Sequence, residues 1–169
     1  MQCIMRDCSR FCLAEGRREA GMTRDSRNVN NDLKIRVSRT LKGDVGAIAK
    51  ASGCSVNACV ETLLLLLKSA YEQGEDAKIV HRMLELKSAK VMQVENLGAK
   101  PERAELHLKL SSGALSFVNL LKERYPAVCG SATEAIDLSL RYWQALCADD
   151  RHLSYVVARV RGMRGDARR

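Results

Sequence analysis

The stretch DLKIRVSRTL, residues 32–41, alternates apolar and polar side chains with a period of two. In an extended segment the apolar side chains share one face, namely Leu33, Ile35 and Val37. The polar side chains share the other face, namely Asp32, Lys34, Arg36 and Ser38. A half-buried strand of this kind needs a neighbouring strand, but the sequence that follows has the periodicity of helices. Its partner must therefore lie further along the chain.

A second alternating stretch, AELHLKLSS at residues 104–112, supplies this partner. Its apolar positions are Leu106, Leu108 and Leu110, and its polar positions are Glu105, His107 and Lys109. We find no third stretch with the pattern of a strand. The sequence therefore predicts a mostly α-helical protein with one two-stranded antiparallel ribbon.

Two helical patterns follow each strand. The first strand precedes TLKGDVGAIAKASG and CSVNACVETLLLLLKSAYEQG, and the second precedes GALSFVNLLKERYPAVCG and SATEAIDLSLRYWQAL. Ser55 is a predicted N-cap, and Ser131 with Glu134 has the spacing of a capping box. The chain therefore divides into a repeat at 31–74, a helical spacer at 75–103 and a second repeat at 104–150. Neither repeat can bury its apolar face alone.

The formal net charge of +8 favours an acidic partner such as nucleic acid. Most of the excess lies at the two ends of the chain. We interpret residues 1–30 as a poorly ordered tail, with Met22 as an alternative start, and residues 151–169 as a flexible basic tail. Arg159 and Arg161 in this second tail are predicted to contact phosphates, and a merely solubilising tail is the alternative.

Seven cysteines without a secretory segment indicate a reducing, cytoplasmic location, and no apolar run is long enough for a membrane span. Three of them, Cys3, Cys8 and Cys12, match no common zinc pattern, so no metal or cofactor is predicted. The others, Cys54, Cys59, Cys129 and Cys147, are interpreted as small apolar residues. Cys54 and Cys129 lie near helix starts, which can lower a thiol pKa, but we expect no redox role.

No catalytic motif is present in the sequence. A phosphate-binding glycine loop, a zinc-protease helix and a nucleophile elbow are all missing. The adjacent Asp149 and Asp150 would diverge on a helix instead of sharing one site. The sequence therefore predicts a protein that is not an enzyme.

The letters GCSVNACV, residues 53–60, and KIRVSR, residues 34–39, resemble the ribbon-helix-helix DNA-binding family of the Arc and MetJ type. The first repeat matches closely, and the second matches in pattern only, with a first helix about three residues longer. Family members are usually homodimers whose strands pair, so the resemblance implies a tandem ribbon-helix-helix pseudo-dimer in one chain. In this respect it is similar to the single-chain accessory proteins of conjugation and T-DNA transfer.

The polar face of such a ribbon can read base edges in the major groove of double-stranded DNA. Arg36 is the best candidate because its guanidinium can bind guanine O6 and N7 together. Lys34 and Lys109 offer single donors, His107 can donate or accept, and Asp32 or Glu105 can accept from cytosine N4. Backbone N–H groups at helix starts suit phosphates, and the predicted phosphate contacts are Ser38, Ser55, Val56, Asn57, Ser131, Ala132 and Thr133.

Two functions are open at this point. The first is sequence-specific binding of double-stranded DNA at an asymmetric site, because the two strands carry different side chains. It would serve a transcriptional regulator or a DNA-transfer accessory, with a relaxase or another DNA-processing protein as partner. The protein would act as a monomeric pseudo-dimer or a higher homo-oligomer on DNA. The second is a non-catalytic adaptor that docks through the Leu63–Leu67 segment and the spacer helix.

Overall fold

The computed structural model describes residues 32–97 and 102–166. In that part of the chain the elements are β1 (Asp32–Ser38), α1 (Arg39–Ser52), α2 (Val56–Ala70), α3 (Asp76–Leu97), β2 (Arg103–Lys109), α4 (Ser112–Arg124), α5 (Ala132–Leu146) and α6 (Asp150–Asp166). The predictions for the tail 1–30, for its three cysteines and for Met22 lie outside the described residues, as do residues 167–169. The order strand, helix, helix occurs twice, with α3 between the two occurrences.

The two strands pair with each other in an antiparallel sheet. The register runs from Asp32 opposite Lys109 to Ser38 opposite Arg103. Ile35, Val37, Leu106 and Leu108 are buried, as the period of two predicts. For the described residues, this confirms a mostly helical protein with one two-stranded antiparallel sheet.

A serine begins each of the helices that follow the strands. Its hydroxyl accepts a backbone N–H three residues later, which satisfies one of the unpaired donors of the first helical turn. The four caps are Ser38 for α1, Ser55 for α2, Ser111 for α4 and Ser131 for α5. The capping box at Ser131 differs in one respect, since Glu134 accepts from the N–H of Gly130 and not from that of Ser131.

The two helix pairs differ in the connection between their helices. Helices α1 and α4 have 14 and 13 residues, so the prediction of a longer first helix in the second repeat is wrong. The extra residues lie in the loop before α5, since residues 53–55 link α1 to α2 whereas residues 125–131 link α4 to α5. Gly53, at φ 68°, permits the short turn, while Pro126 follows the end of α4.

Helix α2 lies at the centre of the core. Leu63, Leu64 and Leu67 are fully buried, and Leu66 on the neighbouring surface is buried too. The indole of Trp143 on α5 donates to the Leu63 carbonyl over 2.9 Å. Packing on several sides explains why the leucine run extends beyond a single helical stripe.

Helix α3 packs against α5. A π-helical segment at Tyr71–Glu75 joins it to α2, and Gly74 at φ 91° permits a kink within it. Ile79 and Met83 of α3 are fully buried. The predicted spacer is therefore part of the common core.

Helix α6 replaces the flexible arm predicted for the basic C-terminal segment, and that prediction is wrong for the described residues. Val156 and Val160 are buried against the core, and α6 contacts α1 and α2. Burial of this apolar stripe orders the segment in spite of its many arginines.

Candidate nucleic-acid interface

The outward face of the ribbon consists of the exposed side chains on the surface opposite the core. Its members are Asp32, Lys34, Arg36, Arg103, Glu105, His107 and Lys109. All six residues predicted to read bases are in this set, because strand parity fixes the face on which a side chain lies. Arg103 was missed, although the same period of two runs through it at the start of β2. The outward face carries four cationic and two acidic side chains.

The register sets which side chains of the outward face meet. Arg36 lies opposite Glu105, and its Nε lies 3.4 Å from Glu105 Oε1. His107 Nε2 lies 3.9 Å from the other carboxylate oxygen of Glu105. Lys34 lies opposite His107, and Asp32 lies opposite Lys109. Acidic and basic side chains are therefore interspersed across the ribbon.

The start of α2 lies at one end of the ribbon. The side-chain amide of Asn57 donates to the Lys109 carbonyl over 3.1 Å and accepts the Lys109 N–H over 2.6 Å. A shallow concavity at this end is lined by Asp32, Lys34, Asn57, His107 and Lys109. Asn57 was predicted to contact phosphate through its backbone, whereas its side chain extends the pairing at the end of β2.

The start of α5 lies at the other end of the ribbon. Ser131 and Thr133 border a concavity together with Ser38, Arg36 and Arg103. Helix N-termini carry partial positive charge and N–H groups without helical partners, which suit phosphate oxygens. The first residues of these helices, Val56 in α2 and Ala132 in α5, thus lie beside opposite ends of the ribbon.

The hydroxyls of the predicted phosphate-binding serines are already engaged. Ser38 accepts the N–H of Leu41 over 3.2 Å, and Ser55 and Ser131 accept in the same way. Each of these hydroxyls accepts in its cap and keeps its own O–H as a donor. These positions can therefore offer a phosphate both backbone N–H groups and a hydroxyl.

Arg159 and Arg161 lie on α6, away from the ribbon. Arg161 donates to the carbonyl of Ala51 over 2.8 Å, at the end of α1 remote from β1. Arg159 borders a cavity with Leu67 and Tyr155 near the end of α2. The structure therefore does not bring these two arginines together with the other predicted phosphate contacts.

Burial governs the cysteines that the structure describes. Cys59 and Cys129 are buried, and Cys54 and Cys147 are half-buried. Burial raises the pKa of Cys59 to about 12 and that of Cys129 to about 11. The idea that a helix start lowers the pKa of Cys129 is therefore wrong, because loss of solvation outweighs any helix-dipole effect.

No group of three or more His, Cys, Asp or Glu side chains within residues 32–97 and 102–166 could hold a metal ion. No single helix in the same ranges is long and apolar enough to cross a membrane. Arg39–Ser52 and Val56–Met92, the latter covering α2 and most of α3, are long and apolar enough only when they are taken as a pair. The chain bends by 93° between the two members of this pair.

Comparisons of the chain with protein-family models, curated proteins and solved structures found no match. The functional assignment therefore depends on the geometry of the ribbon and its surroundings.

Proposed function

We propose that this chain binds double-stranded DNA sequence-specifically by inserting the outward face of its ribbon into the major groove. A two-stranded ribbon fits this groove, where each base pair presents a distinct set of donors and acceptors. The observation that carries the proposal is an exposed polar ribbon face with a helix N-terminus at each end. The face would read bases, and the helix starts would bind the flanking phosphates.

We further propose that the two repeats form a ribbon-helix-helix pseudo-dimer. When the two repeats are aligned on their cap residues Ser38 and Ser111, Arg36 is equivalent to Lys109. In the same alignment, Lys34 is equivalent to His107. Lys34 and His107 also lie opposite each other, as equivalent residues do on a two-fold axis. In addition, α2 contacts β2 while α5 contacts β1, so each second helix packs on the strand of the other repeat.

The DNA site is expected to be asymmetric. Equivalent positions of the two repeats carry Asp32, Lys34 and Arg36 on one strand and Glu105, His107 and Lys109 on the other. A symmetric homodimer reads a palindrome because its halves are identical. This protein would serve as a transcriptional regulator or as a DNA-transfer accessory with a relaxase or similar partner, acting in the cytoplasm without enzymatic activity.

The test is selection of bound duplexes from a randomised pool at one fixed salt concentration, since affinity for DNA depends strongly on salt. The variant is Arg36→Ala/Lys109→Ala, and the matched control is Lys50→Ala/Arg151→Ala, which removes the same charge at exposed positions of α1 and α6. Wild type and control are expected to recover one short asymmetric motif. The ribbon variant is expected to lose it, since each bidentate base contact contributes about 1–3 kcal/mol of discrimination.

Recovery of the same motif by the ribbon variant would contradict the proposal. Weak binding without a motif by all three proteins would do so too, because it would leave only non-specific attraction to phosphates. Circular dichroism of each variant would verify that the fold is retained.

The adaptor function keeps only one of the two surfaces that the sequence indicated. Leu63, Leu64 and Leu67 are fully buried and cannot dock a partner. The spacer helix α3 exposes an apolar stripe with Leu84, Val91 and Met92 at 46%, 50% and 63% exposure. This stripe is the observation that favours an adaptor, and in that case the ribbon variant would behave like wild type in every assay.

A further inference from the structure

The outward face contains two acidic side chains that are equivalent under the proposed pseudo-symmetry but behave differently. Glu105 lies opposite Arg36 and forms an ion pair with it, whereas Asp32 lies opposite Lys109. Among the residues that the structure describes, Asp32 makes no ion pair. Within the described part of the chain, the ribbon therefore offers a comparison between an arginine with a carboxylate partner and a lysine without one.

The atoms of the ion pair leave the far edge of Arg36 accessible. Glu105 accepts from Nε, at 3.4 Å. The two terminal Nη groups form the fork that can bind guanine O6 and N7, and they make no hydrogen bond to the described residues. A carboxylate held at Nε therefore does not compete with guanine for the fork.

Glu105 is itself well supported. It lies within β2, and its backbone carbonyl accepts a hydrogen bond from Lys42 Nζ of α1 over 3.0 Å. Arg36 projects from β1 on the facing strand, with 70% of its side chain exposed. Without a partner, a long exposed side chain samples many rotamers and loses that freedom on binding.

We infer that Glu105 is a positioning residue that orients the Arg36 guanidinium for guanine. It acts across the ribbon, from one repeat to the other, and this role rests on the proposed DNA-binding function. Lys109, which has no carboxylate partner among residues 32–97 and 102–166, would discriminate more weakly at the equivalent position of the other half-site.

The experiment compares Glu105→Ala with its pseudo-symmetric control Asp32→Ala. Each removes one negative charge from the same face, so each should raise sequence-independent affinity for DNA to a similar degree. The measured quantity is the preference for guanine at one base pair of the site. This is the base pair at which the Arg36→Ala variant no longer selects guanine. Glu105→Ala is expected to lower this preference about fivefold because the ordering of Arg36 must then occur on binding. Asp32→Ala is expected to leave the guanine preference at this one base pair unchanged, because Asp32 lies opposite Lys109 and not opposite Arg36.

Two further variants separate positioning from a general electrostatic effect. Glu105→Gln keeps an acceptor oxygen for Arg36 Nε and is expected to retain most of the guanine preference. In an Arg36→Ala background, Glu105→Ala is expected to have no further effect on discrimination, since the two residues act as one unit. Their unfolding midpoints should match wild type, because exposed ion pairs contribute little to stability.

The inference is overturned if Glu105→Ala behaves like Asp32→Ala, or if its effect persists without Arg36. This outcome differs from failure of the proposed function. In that failure Arg36→Ala itself leaves the selected motif unchanged, or the wild type selects none.

Discussion

Asn57 joins the start of α2 to the end of β2 with a single side chain. Its amide both donates to and accepts from the backbone of Lys109, much as a neighbouring strand would. The equivalent position in α5 is Thr133, whose hydroxyl cannot reproduce such a planar pair. The end of the ribbon that carries Lys109 therefore depends on an asparagine that sequence patterns identify only as part of a helix start.

We expect Asn57→Ala to destabilise the protein by about 1–2 kcal/mol, since it leaves two backbone groups of Lys109 without their partner. The measurement is urea-induced unfolding followed by circular dichroism. Asn57→Asp is the informative companion, because its carboxylate can accept the Lys109 N–H but repels the Lys109 carbonyl. A wild-type midpoint for both variants would show that solvent satisfies these groups equally well.

The outward face could be predicted residue by residue, but its pairing could not. Parity within each strand determines that Lys34 and Arg36 project together away from the core. Whether Arg36 meets Glu105 or His107 depends on the register between strands 69 residues apart, and neither strand contains this information. Arg103 was missed because the prediction began the second strand one residue late, although the alternation includes it.

At the scale of elements, α3 is attached to α5 by charged contacts beside the ribbon. Lys87 Nζ lies 2.8 Å from Glu134 Oε1 and also donates to the carbonyls of Ala127 and Val128. Lys90 Nζ lies 2.9 Å from Asp137, which is only 3% exposed. The spacer thus supports the loop and the first turn of α5, which form one flank of the proposed DNA site.

The contact at Glu134 predicts a pH-dependent contribution to stability. Burial raises the pKa of Glu134, but hydrogen bonds from Lys87 and the Gly130 N–H outweigh it, so the pKa lies below its ordinary value of 4.5. A lowered folded-state pKa stabilises the protein above the ordinary pKa, and this stability is lost as the pH falls through the folded-state value. Glu134→Gln should therefore cost about 1 kcal/mol at pH 7 and less at pH 3.5.

Urea unfolding of wild type and Glu134→Gln at the two pH values provides the measurement. Glu123→Gln, at an exposed position of α4, serves as the control for removing one acidic charge. A difference between wild type and Glu134→Gln that stays constant from pH 7 to pH 3.5 would show that ionisation of this carboxyl has no part in the effect.

Helix α6 shows why one element escaped prediction. Leu153, Val156, Val157 and Val160 have the spacing of a helical apolar stripe, and Val156 and Val160 are fully buried or nearly so. The arginines and the two glycines around them are typical of a solvated tail, so composition and periodicity favour opposite predictions for this segment. By contrast, α2 and α5 each combine an apolar stripe with a serine cap that the sequence predicts, so two independent signals agree.

At the scale of the whole molecule, the two strands could be made equivalent. The repeats are aligned here on their cap residues Ser38 and Ser111. In that alignment, the substitutions Glu105→Asp, His107→Lys and Lys109→Arg would give β2 the same three outward side chains that β1 has at the equivalent positions. If the repeats form a pseudo-dimer on DNA, this variant should select an inverted repeat of the half-site that β1 reads in wild type. Duplex selection under the wild-type conditions measures the outcome.

The reciprocal exchange supplies the control for that experiment. Asp32→Glu, Lys34→His and Arg36→Lys should select an inverted repeat of the other half-site. An asymmetric motif from both exchanged proteins would mean that the flanks around α2 and α5, and not the strands, determine the asymmetry.

If the chain binds DNA as the proposed single-chain pseudo-dimer, the pairing of β1 with β2 within one polypeptide also affects how occupancy of DNA varies with protein concentration. A ribbon assembled from two separate chains dissociates on dilution, so its occupancy of DNA falls with the square of the protein concentration once dimers become scarce. Here the second strand is always present at the high effective concentration of an intramolecular partner. Occupancy should therefore remain first order in protein down to a few molecules per cell, which would suit a protein made in small amounts to act at a single locus.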